Sequence, residues 1–162
     1  MKEVAALLLV ALLLNGCSSN STPTQTAAGG TWQVQTLGGE GASTGFSFNT
    51  QFTVGGGGAL SISYFQFINS GQPCFPLSGG TLSGTMVLTE NTTTFVVTGT
   101  FSYVVQSGSN TLTFTGTLTG NENGLNGTIL SGVTGSGAWT LAGDGTNGCV
   151  DTSGSFTMSQ ST

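Results

Sequence analysis

The side chains able to do chemistry in this chain are few, and their types narrow what that chemistry is. Its 162 residues hold six carboxylates, a single cation, Lys2, and no histidine. A serine or threonine nucleophile therefore lacks its usual base, and an oxyanion or phosphate lacks its usual cationic clamp. Glycoside hydrolysis needs two carboxyls flanking one bond. Glu40, Glu90, Glu122, Asp144 and Asp151 instead fall mainly in or beside predicted turns, where a solvated carboxylate is the ordinary expectation. No enzymatic activity is expected. Asp144-Gly145-Thr146-Asn147-Gly148 followed by Asp151 gathers oxygen ligands in a glycine-rich loop, the donor chemistry that calcium prefers. The loop has neither the alternating acids nor the terminal glutamate of an EF-hand. An Asp-Gly turn is the simpler expectation, with no metal and no cofactor.

Cysteine is the remaining reactive type. Cys17 closes a segment in which Met1-Lys2-Glu3 leads into the apolar run Val4 to Leu14 and then into Leu14-Asn15-Gly16-Cys17. The run has the length of a signal-peptide core and falls short of the ~20 residues a membrane-spanning helix needs. The tetrapeptide resembles the lipobox of bacterial lipoproteins. That resemblance implies removal of residues 1–16, a thioether-linked diacylglyceryl group on Cys17 as the mature N-terminus, and a place at the cell envelope. Two acyl chains give the stable anchoring that one does not. Ser18, where an aspartate would retain a lipoprotein at the inner membrane, implies the outer membrane of a diderm cell. Residues 17–29 are then the lipidated cysteine and a small, polar, flexible tether, and residues 30–162 the folded domain.

With Cys17 committed to lipid, Cys74 and Cys149 form an even pair in an oxidising compartment, where a disulfide is expected. It would close a loop of 75 residues, worth ~4 kcal/mol in the chain-entropy model. Histidines or further cysteines that would complete a tetrahedral zinc site do not exist. Beyond Lys2 the chain is purely acidic and sparsely charged. Nucleic acid is not an expected partner, because phosphate binding works through lysine and arginine that displace counterions. Membrane contact would come through the lipid.

The elements that must position these residues are strands. From Gly30 onward apolar residues alternate with Thr and Ser at period two, in runs separated by Gly, Asn and Ser clusters. The runs are Thr31–Leu37, Gly45–Val54, Leu60–Ile68, Thr81–Thr89, Thr94–Val105, Thr111–Thr119, Leu125–Ser131, Gly135–Leu141 and Gly154–Ser159. Short connections make sequence neighbours antiparallel neighbours, so the fold class is all-β, a single antiparallel meander. Within the strands a glycine shares the apolar face with large residues at Gly84, Gly99, Gly116 and Gly127. Such glycines mark bending or close backbone approach. Successive copies predict a sheet curled into a small barrel of eight or nine strands, with a two-sheet sandwich as the alternative.

The disulfide tests the count. Five of these runs lie between Cys74 and Cys149, and an odd number puts the two loops at opposite ends, beyond disulfide reach. Either Leu125–Leu141, whose apolar residues share one parity, is a single long strand, or the loop Asn69–Gly80 folds back along the barrel wall.

Gly30-Thr31-Trp32 is similar to the G-x-W that opens lipocalins, eight-stranded meander barrels that carry small apolar ligands. The resemblance implies Trp32 at one end of a barrel. Two functions follow. In one, a filled barrel is a non-enzymatic structural or interaction module working through its outer face, with an envelope protein as partner. In the other, Trp32, Phe46, Phe48, Ile62, Tyr64, Phe101 and Phe114 line a cavity for an apolar ligand. The alternation Leu60, Ile62, Tyr64 inward sends Phe65 and Phe67 outward, either to a partner or under the loop Phe75-Pro76-Leu77.

Overall fold

A computed structural model describes residues 30–39, 45–68, 73–91, 93–123 and 129–161. Cys17, the N-terminal segment, the tether, Glu40 and Gly127 lie outside the described residues. Eight strands follow one another: β1 (Gly30–Gly38), β2 (Phe48–Val54), β3 (Leu60–Phe67), β4 (Thr81–Asn91), β5 (Val96–Ser107), β6 (Asn110–Asn123), β7 (Ile129–Ala142) and β8 (Thr152–Ser161). They form one antiparallel sheet in the order β3-β2-β1-β8-β7-β6-β5-β4. β1 pairs with β8 along its length, so the meander curls round on itself and is nearly closed into a barrel. The opening is the seam between β3 and β4, crossed by one isolated backbone bridge, Ala59 to Thr85, among the described residues.

Both ways out of the strand-count conflict are realised. Gly135–Leu141 and the end of the preceding run belong to one strand, β7, leaving four strands between the cysteines and both cysteine loops at the same end. Cys74 and Cys149 are joined there, with Cα atoms 5.4 Å apart. The loop before β4 also folds back: the Phe67 amide donates to the Leu77 carbonyl at 3.0 Å, so the loop lies against the free edge of β3 and covers part of the seam.

The inward glycines face large residues across the strand pairs. Gly84 is opposite Tyr103, Phe101 opposite Gly116, Gly137 opposite Phe156, and Trp139 opposite Gly154. Two rings come to rest over glycines: Trp139 Nε1 lies 2.7 Å from where a Cβ on Gly154 would stand, and Phe156 Cζ lies 3.0 Å from one on Gly116, which lets a narrow barrel close on bulky residues. The approach is tight. A Cβ on Gly84 would come within 2.6 Å of the Ser102 carbonyl oxygen, and one on Gly135 within 2.8 Å of Met158 Cγ.

One stretch of β3 departs from strict alternation. Phe52 pairs with Ile62 but the adjacent Gln51 pairs with Tyr64, so Ser63 is an extra residue, a β-bulge. An inserted residue shifts every later side chain to the other face. Leu60 and Ile62 pack partly on the core as expected, whereas Tyr64 points outward with 44% of its surface exposed. Phe65 and Phe67 are core residues, not an outer surface. Phe67 does meet Phe75 of the covering loop, at 5.9 Å between ring centres, but from inside the barrel.

Candidate functional site

The interior, where the alternative reading placed a ligand cavity, holds aromatic side chains in mutual contact. Phe48 lies at its centre, its ring 4.8 Å from Phe65, 5.1 Å from Phe114 and 5.3 Å from Tyr103. Phe101 stacks on Tyr103 at 5.9 Å, and Phe114 meets Phe156 edge-on at 5.4 Å. Toward the end where β1 begins, Trp32 stacks on Phe52 at 5.8 Å. Toward the disulfide end, Trp139 meets Phe46 at 5.2 Å, and its Nε1–H donates to the Leu37 carbonyl at 3.1 Å. Trp32, Phe46, Phe48, Phe101 and Phe114 are brought together as buried residues, while Ile62 sits at the margin and Tyr64 is on the opposite face. Ring pairs at these separations are in packing contact, with edge-to-face geometry common among them.

Sequence reasoning did not single out the polar pair inside this core. Thr50 is fully buried, and its hydroxyl donates to the Tyr64 carbonyl at 2.9 Å and lies 3.1 Å from the Tyr103 hydroxyl. Burial pushes the Tyr103 phenol up to about 12, partly offset by the Thr50 hydrogen bond. The outward phase of Tyr64 and the buried threonine are linked: the carbonyl that Thr50 satisfies belongs to the residue beside the bulge.

Asn110 was likewise unflagged. It is buried at the disulfide end, where its Nδ2 donates to the Cys74 carbonyl at 3.1 Å and its Oδ1 accepts from the Asp144 amide at 2.8 Å. One side chain thereby ties the two cysteine loops together beside the disulfide. The candidate calcium loop behaves as a turn. Asp144 Oδ1 accepts from the Thr146 hydroxyl and amide, which lowers the carboxyl below its ordinary range, and Asp151 Oδ1 accepts from the Gly143 amide at 2.9 Å. Asn147 occupies the left-handed region at φ 51°. These oxygens accept from the loop's own amides and from the Thr146 hydroxyl, and no group of three or more metal-ligating side chains occurs among the described residues.

The outer wall carries a concave site. A trough of about 500 Å³ runs over β6, β7, β8 and β1. Its sides come from two ranks of side chains in register across these strands, and Leu118, Gly135 and Met158 line it between them. One rank is Thr117, Ser136, Thr157 and Gln35, and the other is Thr119, Thr134, Ser159 and Gln33. Twisted barrels are hyperboloid, so the outer surface is concave along the strands. The waist coincides with Gly135, which faces inward between Leu118 and Met158 and permits the sheet to draw in there. The Thr/Ser alternation was legible in sequence as a solvent face; its collection into a trough depends on curvature and was not. No family model, no curated protein and no solved structure matches this chain.

Proposed function

We propose that this chain is a lipid-anchored cell-envelope protein whose barrel is a non-enzymatic interaction module, acting through its outer surface. The observation that carries the reading is the interior: aromatic rings in mutual contact around Phe48 occupy the volume a carrier would keep open for cargo. Native cores packed in this way leave few voids larger than a water. The anchor rests on the lipobox resemblance at Cys17. Gly30 enters the sheet at the end opposite the Cys74 and Cys149 loops. The scarcity of bases and cations supports a role without catalysis.

The test is uptake of an apolar dye. The purified protein without residues 1–17, and so without leader or acyl chains, is titrated with N-phenyl-1-naphthylamine. The reading expects no saturable fluorescence gain. Saturable micromolar binding, displaced by a fatty acid, would establish an apolar carrier instead. Metabolic labelling with radioactive palmitate should mark the unsubstituted protein and not Cys17→Ser; an unlabelled parent, or a labelled Cys17→Ser, contradicts the anchor.

A further inference from the structure

We infer that the outer trough over β6, β7, β8 and β1 binds a neutral polyhydroxylated chain, that is, a glycan without charged groups. The inference rests on the reading that the outer face does the work, and adds the site and the class of ligand.

Three observations point to that ligand. The first is chemical: the ranks Thr117–Ser136–Thr157 and Thr119–Thr134–Ser159 present hydroxyls, and Gln33 and Gln35 end them with amides. Hydroxyls and amides both donate and accept, which matches a partner whose own groups do the same. The second is electrostatic. Beyond Lys2 the chain has no cation, so a phosphorylated, sulfated or uronic-acid chain would meet only neutral dipoles and a net negative protein. The third is geometric. Neighbouring strands repeat at about 4.8 Å and same-face residues along a strand at about 6.7 Å, so the hydroxyls form a regular lattice. The lattice is folded into a trough of about 500 Å³, within the range of small-molecule sites and shaped for a chain lying in it. A peptide strand is disfavoured because β7 and β8 are paired on both sides, leaving no backbone edge in the trough for it to extend.

The experiment is isothermal titration of the purified full-length lipoprotein in detergent micelles with maltohexaose, cellohexaose and chitohexaose, alongside hexagalacturonate and an uncharged β-strand peptide. At least one neutral hexasaccharide is expected to bind with low-millimolar or better affinity. The triple variant Thr117→Val, Thr134→Val and Thr157→Val keeps side-chain shape and strand preference while deleting one hydroxyl from each of β6, β7 and β8, and should weaken binding by at least about tenfold. Thr134→Val alone provides the measurement if the triple variant loses its cooperative unfolding transition. Thr53→Val, exposed on β2 outside the trough, should leave affinity unchanged. The inference is overturned if none of the neutral sugars binds, if the trough variants bind as tightly as the parent, or if hexagalacturonate or the peptide binds better. A protein that ignores both dye and sugars loses this inference alone. One that takes up the dye loses the reading beneath it.

Discussion

Gly116→Ala probes the device that makes this barrel narrow. Gly116 faces inward opposite Gly137 on β7 and Phe101 on β5. Its new Cβ would stand 2.9 Å from the Ser136 carbonyl carbon and 3.0 Å from Phe156 Cζ, with the Ser136 oxygen closer still. The ring can turn aside, but the carbonyl is fixed in the β6–β7 ladder. Replacing a strand glycine by alanine ordinarily stabilises by ~0.5–1 kcal/mol, through lost freedom in the unfolded chain. Overpacking a filled core costs ~1–3 kcal/mol, and the immobile carbonyl places this site in the upper part of that range. The net expectation is a loss of about 1–2 kcal/mol, or roughly a 1 M fall in the urea midpoint at a typical slope for this size. Gly56→Ala is the matched control: no atom lies within 4 Å of its added Cβ and its φ is not positive. It should be neutral or stabilising by ~0.4–1 kcal/mol. Equilibrium urea unfolding of the oxidised proteins measures both. Equal midpoints for the two variants would refute the close approach on which the packed-barrel account depends.

Reduction of Cys74–Cys149 should lower stability by ~2–5 kcal/mol in the same urea assay, because the closed loop of 75 residues is freed in the unfolded state; an unchanged midpoint contradicts it. Phe65→Ala should cost ~3–5 kcal/mol, whereas Tyr64→Ala should stay within about 1 kcal/mol, and the reverse order would remove the bulge at Ser63. Raising pH should destabilise the fold through Tyr103. Its phenol titrates at about 12 when folded against 10.0 unfolded, so the unfolded state loses its proton first. Stability is then complete below pH ~10 and falls by up to ~1.4 kcal/mol per unit as pH approaches ~12. Tyr103→Phe should flatten that decline, and an undiminished slope in this variant would contradict the assignment.

The strands were legible because burying one face of a sheet imposes period two, and that pattern runs clearly through Thr111–Thr119 and Gly135–Leu141. The shared parity of Val133, Gly135, Trp139 and Leu141 offered one continuous strand there as one of two ways to reconcile the strand count with the disulfide. The phase of β3 was not legible. Ser63 is a residue any strand could contain, and the bulge is set by how β3 pairs with β2, so the inward Tyr64 and outward Phe65 and Phe67 read from alternation exchange faces. Thr50 and Asn110 escaped notice for a related reason: each looks like ordinary strand or turn polarity until the fold places Tyr103 beside one and the Cys74 carbonyl beside the other. The trough is further removed from sequence, since its residues come from four strands and its depth from curvature.

The central claim is that the barrel encloses side chains and not cargo. Native mass spectrometry of the protein extracted from its own membranes tests this most directly, because a carrier purified under mild conditions retains a stoichiometric apolar ligand. The account predicts a single mass, that of the chain from Cys17 with its acyl groups, unchanged when collision energy is raised. A second mass, heavier by one discrete apolar molecule and lost on activation, would contradict it.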